Sequence, residues 1–299
     1  LNVRTIVIGG DGAIGHALAE TLRRRGDVVY DTTRRRGLVS DHRPFLDLAT
    51  EEIDRSLLPD ADIVFFCAAI VSFATCRENS ALARRVNATN PVSLARRLVA
   101  SGTRVVLLST SAVYDWSAPR APADRPPCPL TKYGEFAAQA ERGFAELGPA
   151  TSILRLTKLL TPDSSLFADW ISRLAGRKEV VAFSDLHISP ISINDAIDAL
   201  LAIAGETSGG IFQVSGAGDI SYHDAAVRLA LRLGVDPDLV GAQRAADVGI
   251  PRNEIPRFAS LDTTRITKLT GWVPPDPYNV IDTVFGSMIE RARTLAVLP

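Results

Sequence analysis

The stretch RTIVIGGDGAIGHALAETLRRRG, residues 4–26, constrains the fold more than any other part of the chain. An apolar run without alternation is the pattern of a strand buried on both faces. Here such a run enters a glycine turn, and the segment after it has helical periodicity closed by Gly26. Gly9, Gly12 and Gly15 give the spacing G-x-x-G-x-x-G. Glycine at 9 permits a tight turn, glycine at 12 admits a pyrophosphate to the backbone, and glycine at 15 lets helix and strand pack closely. The helix opening at Ala13 and Ile14 offers free N–H groups and a positive dipole end to an anion. Gly9, Gly12, Ala13, Ile14 and Gly15 are therefore the candidate phosphate-binding positions.

The same alternation continues. DVVYDTT (27–33), RPFLDL (43–48), ADIVFFCAAI (61–70), TRVVLLST (103–110) and TSILRLT (151–157) read as strands. EEIDRSLL (51–58), the long stretch 78–102 containing Pro91, and PLTKYGEFAAQAE (129–141) read as helices. Strands without internal alternation, interleaved with helices, predict an α/β fold with a doubly wound parallel sheet. After about residue 160 the chain changes character, with short helices, prolines and a strand at IFQVSG (211–216). The expected organisation is a nucleotide-binding domain over 1–160 and a smaller, intertwined C-terminal substrate region over 161–299.

Composition excludes several function classes. With 33 Lys and Arg against 34 Asp and Glu the net charge is −1. That gives no electrostatic case for nucleic acid or an anionic membrane. No apolar run approaches a membrane span, and the N-terminus enters a strand directly, so no signal peptide is expected. The three cysteines, at 67, 76 and 128, form no C-x-x-C pair, and the four histidines lack metal spacing, so no metal site is expected. A reducing, cytoplasmic setting follows.

The cofactor's ribose is read about 20 residues after the glycine turn. Asp31 would accept from a 2′-hydroxyl and favour NAD. Thr33 and Arg34 would receive a 2′-phosphate and favour NADP, since arginine suits bidentate phosphate contact. The position of Arg34 just past the strand favours NADP, with NAD as the alternative.

The buried run 103–110 ends in the hydroxyls Ser109-Thr110-Ser111, and Tyr133-Gly134 opens a later helix. With the glycine turn, Asp47-Leu48, Cys67-Ala68-Ala69, Asn87 and Ala112-Val113-Tyr114, this pattern resembles the extended short-chain dehydrogenase/reductases, the NAD(P)-dependent epimerase/dehydratase superfamily with its Rossmann fold. Within that superfamily it is most similar to the dTDP-4-dehydrorhamnose reductase-like nucleotide-sugar enzymes, through Arg155-Leu156-Thr157, the segment from Ser189-Pro190 to Asp195, and Leu261-Asp262 to Lys268. The resemblance implies Thr110 as the hydroxyl on the substrate oxygen, with Ser111 sharing that role, and Tyr133 as the general acid. It implies Asp47 and Leu48 beside the adenine, Cys67, Ala68 and Ala69 along the phosphate–ribose, and Asn87 on the adjoining helix.

One position departs from the pattern. The family's lysine, four residues after the tyrosine, is Ala137 here. A lysine there would share a helix face with the phenol and lower its pKa. The expected function is an NADP-dependent reductase of a nucleotide sugar or similar carbonyl substrate, with an atypical site. The alternatives are an NADP-binding regulatory protein without turnover and a nucleotide-sugar epimerase. The expected partners are a small-molecule substrate and, in a homodimer, a second copy of the chain.

Overall fold

The apolar runs of the first half assemble into one six-stranded sheet. The protein's structure, a computed structural model, describes residues 3–297, apart from the side chains at 55 and 295–297. Strands β1 (Arg4–Ile8), β2 (Val28–Asp31), β3 (Ile63–Phe66), β4 (Arg104–Thr110) and β5 (Thr151–Leu156) are consecutive along the chain but not across the sheet. The spatial order is Gly210–Val214, β5, β4, β3, β1, β2. The four pairings from β2 through β1, β3 and β4 to β5 are all parallel. The chain leaves β1 for β2 on one side and returns to β3 on the other. The reversal falls between β1 and β3, and ligands of open α/β sheets bind outside the carboxyl ends of the strands at such a point. This is the doubly wound Rossmann arrangement.

Burial explains the strands. β3 is buried at every residue, and Ile6 and Ile8 of β1 join Val64, Phe66, Val105, Leu107 and Ile153 in one apolar cluster. Helix α1 (Ala13–Arg24) follows the glycine turn, and α2 (Phe73–Glu78) follows the loop after β3. The long stretch 78–102 is not one helix. It divides into α3 (Ser80–Arg84), a widened π-type turn at Arg85–Thr89 and α4 (Asn90–Ala100), with Pro91 in the first turn of α4, where its missing N–H costs nothing. Helix α5 (Lys132–Ala145) is capped by Thr131, whose hydroxyl accepts from the Gly134 N–H at 3.1 Å.

Two further expected elements differ. RPFLDL forms no regular strand. Its backbone runs beside the end of β2 through an isolated bridge from Phe45 to Thr33, and Pro44, which has no N–H to donate, contributes only its carbonyl, to Thr33. EEIDRSLL yields one tight turn at Arg55–Leu57 instead of a helix, because so short a segment does not offset helix nucleation.

The chain divides into two compact units built from interleaved segments. The first comprises the chain through Asp115, Ala123–Leu156 and Ala196–Gln213. The second comprises Trp116–Pro122, Thr157–Asp195 and the chain from Val214 onward. The second has its own core, in which Phe167, Trp170, Leu229 and Phe285 are buried. Its helix Tyr222–Leu233 opens with a reciprocal capping box between Ser221 and Asp224. Among the described residues, no helix is long and apolar enough to cross a membrane, and no cluster of His, Cys, Asp and Glu could hold a metal ion.

Candidate functional site

Two turns meet at the switch point. Gly9 has φ +97°, which favours glycine, and a Cβ there would lie 2.8 Å from the Ala68 nitrogen. The turn after β1 thus presses directly on the Cys67-Ala68-Ala69 segment after β3. Gly15 is equally fixed by packing, since its Cβ would lie 2.2 Å from the Gly9 carbonyl oxygen. Gly12 is different. A Cβ there would meet only the Gly9 oxygen, at 3.4 Å. Packing within the protein therefore does not demand glycine at 12, whereas a pyrophosphate approaching the start of α1 would. The donor set and this bare backbone fit a dinucleotide.

The ribose end is more crowded than the sequence implies. Asp31 is 5% exposed and is paired with Arg23 and with Arg43, whose Nε lies 3.2 Å from Asp31 Oδ2. That second contact has ion-pair distance without hydrogen-bond alignment, because Arg43 Nε makes no hydrogen bond. Thr33 is 1% exposed, and its hydroxyl donates to Asp11 Oδ2 at 2.9 Å while accepting from the Arg35 N–H at 3.0 Å. This corrects the expectation for Thr33. The side chain orders the loop, and it has no donor left for a phosphate. Arg34 is exposed and makes no ion pair among the described residues. Asp47 accepts from the Ala49 N–H in a local turn. The Leu48 side chain is a core residue at 5% exposure, which leaves only its backbone to line a site. Asn87 sits in the π-type turn and clamps the loop after β3 from both ends of its amide: Oδ1 accepts from the Ile70 N–H and Nδ2 donates to the Ile70 carbonyl, each at 2.8 Å. Cys67 is partly exposed, and burial pushes its thiol up to about 12.

β4 and α5 build the candidate reaction centre. The Thr110 side chain accepts from the Ala112 N–H at 3.2 Å, and Thr110 and Tyr133 line one cavity together. Ser111 opens a tight turn over Ser111–Val113, one residue beyond this contact. Gly134 lets α5 approach, for its Cβ would lie 2.0 Å from the Ala112 carbonyl oxygen. Phe73 packs on the Tyr133 ring at 5.8 Å between centroids. Burial pushes the phenol pKa up to about 12, opposed by the Thr110 hydroxyl and reinforced by Cys76. Ala137 lies on the same face of α5, and with Tyr133, Thr110, Ser109, Asn87 and Ala68 it lines a cavity of about 30 Å³. That is room for roughly one or two water molecules. The neighbouring Lys132 ammonium donates to Glu135 at 2.6 Å.

Below this face lies a network the sequence did not reveal. Arg155, 1% exposed on β5, donates through Nε and Nη2 to both oxygens of Glu141, at 2.9 and 2.6 Å. Glu141 also accepts from Ser109 at 2.5 Å, and Arg155 Nη1 reaches Tyr114, the Ala123 carbonyl and Gln213. Two signals were present: a charged residue inside the apolar run TSILRLT, and a glutamate eight residues after Tyr133 on one helix face.

A family model described as the RmlD substrate binding domain matches residues 3–287. The chain belongs to this family. The dTDP-4-dehydrorhamnose reductase of Streptomyces griseus is 29% identical over 280 residues, covering 88% of this chain and 86% of its own. Among solved structures, the dTDP-4-dehydrorhamnose reductase of Yersinia enterocolitica matches with TM-score 0.84 at 18% identity, covering 96% of this chain and 99% of that one. The Bacillus anthracis dTDP-4-dehydrorhamnose reductase, solved in complex with NADP, matches with TM-score 0.80 at 20% identity and the same coverage. At these identities the solved structures show a shared fold.

Proposed function

We propose that the chain is an NADP-dependent reductase of a keto group on a nucleotide sugar, working without the lysine usual beside its tyrosine. The observation that carries this is that Thr110, at the carboxyl end of β4, and Tyr133 line one cavity, in a sheet whose glycine turn fits a dinucleotide. The substrate class follows the name of the Streptomyces griseus relative. Bound at the glycine turn, NADPH supplies a hydride. The α1 N-terminus and the bare backbone at Gly12 would hold its pyrophosphate, and Arg34 would receive the 2′-phosphate.

Thr110 orients the phenol and a substrate oxygen, and that oxygen takes its proton from Tyr133. A phenol with a pKa of about 12 is fully protonated at neutral pH, so the donor is always loaded. The phenolate left behind is reprotonated from solvent. The cost of the missing lysine is a mismatch between donor pKa and working pH, which slows general acid catalysis without abolishing it. A second reading, an NADP-binding protein without turnover, is favoured by Ala137 alone.

The test is NADPH oxidation against a panel of dTDP- and UDP-linked keto sugars and simple ketones. The reductase reading expects consumption with at least one keto sugar, reduced roughly 10²-fold or more by Tyr133→Phe. NADPH binding without consumption across the panel would establish the second reading.

A further inference from the structure

We infer that Asp11 and Arg43 form a latch that sets the preference for a 2′-phosphorylated cofactor. The inference rests on the NADP reading above and adds two positioning residues to it. Asp11 lies inside the glycine turn, between Gly10 and Gly12. Its carboxylate gathers the loop after β2. Oδ2 accepts from the Thr33 hydroxyl at 2.9 Å and the Arg34 N–H at 3.3 Å, and Oδ1 accepts from Arg43 Nη2 at 2.7 Å. Arg35 Nε stands 3.8 Å away. Desolvation alone would raise the Asp11 pKa, but the Thr33 and Arg34 hydrogen bonds and the Arg35 and Arg43 charges outweigh it, and the carboxyl is held below its ordinary value. Asp11 is thus an anion that ties the start of the Arg34-Arg35-Arg36 run to the turn where the pyrophosphate lands.

An anion beside a phosphate site is a liability unless neutralised. Arg43 supplies the neutralisation and bridges two carboxylates at once, Asp11 through Nη2 and Asp31 through Nε. Arg23 closes the other side of Asp31. A carboxylate at the end of β2 is what ordinarily accepts from a ribose 2′-hydroxyl. Here both carboxylates are spent on arginines. Arg34, fixed through its backbone and exposed at its guanidinium, is what remains to meet the ribose. Without Arg43, Asp11 and Asp31 would lose the cation they share, leaving more negative charge beside the ribose end to repel a phosphate and accept from a hydroxyl. Without the Asp11 charge, the loop carrying Arg34 would lose its anchor.

The experiment measures binding of 2′,5′-ADP and of ADP by titration calorimetry, and takes their affinity ratio. The variants are Arg43→Ala, Arg43→Lys, Asp11→Asn and Arg34→Ala, each checked for folding by thermal melting. The wild type is expected to bind 2′,5′-ADP tighter by about tenfold or more, the scale of charge-assisted hydrogen bonds. Arg43→Ala should bring the ratio to about one or below, and Arg43→Lys, which reaches one carboxylate at a time, should keep part of it. Asp11→Asn should lower the ratio, and Arg34→Ala should abolish it. A merely structural role would weaken both ligands together and leave the ratio in place. A high wild-type ratio unchanged in the Arg43 and Asp11 variants overturns the latch and leaves the NADP reading intact. A wild-type ratio near one overturns both.

Discussion

Restoring the absent cation is the sharpest perturbation the structure suggests. Ala137→Lys places an ammonium on the face of α5 that carries Tyr133, one helical turn away. Ala137 is buried on the wall of a cavity it shares with Tyr133 and Thr110, so the added side chain must displace neighbours or run along that wall toward the cofactor side. Overpacking of this kind costs roughly 1–3 kcal/mol of stability, to be checked by melting. Glu141, one turn further on, does not capture the ammonium, because both its oxygens are held by Arg155 and Ser109. A cation within about 4–6 Å lowers an acidic group's pKa by roughly 1–3 units. From the value of about 12, the phenol would fall to roughly 9–11 by that rule. Because the wild-type donor is already protonated at neutral pH, the gain comes only from better proton-transfer matching. We expect about tenfold, below the usual acid–base range of roughly 10²–10⁴. The assay is single-turnover NADPH oxidation across pH with the best keto sugar, for wild type, Ala137→Lys, and Ala137→Lys combined with Tyr133→Phe. A folded variant with no rate gain and an unmoved alkaline limb refutes the role given to the missing lysine. A gain that survives Tyr133→Phe refutes Tyr133 as the donor.

Three further outcomes follow. Tyr133 and Tyr114 are both pushed up to about 12 by burial, so between about pH 10, where unfolded tyrosine ionises, and about 12 the folded state holds protons that the unfolded state has lost. Stability is therefore level below about pH 10 and falls above it, measurable as a declining urea midpoint, and a midpoint flat to pH 11.5 contradicts the burial. Gly12→Ala should fold normally and bind NADPH at least about tenfold more weakly, whereas Gly15→Ala, whose Cβ would sit 2.2 Å from the Gly9 oxygen, should lower the melting temperature; equal effects in both assays would remove the functional assignment of Gly12. Glu141→Ala strands the buried Arg155 charge and should cost about 3–5 kcal/mol in denaturant unfolding, and a loss under about 1 kcal/mol would place the pair among weak surface bridges.

The sheet was legible because its strands are covered on both faces, and burial writes itself into sequence as unbroken apolar runs such as IVFF in β3. Pro91, read within one long helical stretch, instead sits in the first turn of α4. RPFLDL failed as a strand because its apolar residues pack while Pro44 interrupts the ladder, and the π-type turn at Arg85–Thr89 leaves no compositional mark. The Thr110–Tyr133 pair came from spacing within a recognised pattern. Asp11–Arg43 and Glu141–Arg155 did not, because ion pairs between elements 32 and 14 residues apart have no local periodicity to announce them. The same contacts turned Thr33 from a phosphate reader into a loop anchor. The hydroxyl was in the right place, but its donor was already committed.

The central claim is hydride transfer to a sugar carbonyl with Tyr133 supplying the proton. The most direct measurement uses NADPH carrying deuterium at the transferable position of the nicotinamide, with a dTDP-linked 4-keto sugar, and mass spectrometry of the nucleotide-sugar product. The account predicts a single deuterium at the former carbonyl carbon, formed by the wild type and suppressed roughly 10²-fold or more in Tyr133→Phe. A keto sugar recovered unreduced under saturating cofactor, or recovered as an epimer with no deuterium gained, would contradict it.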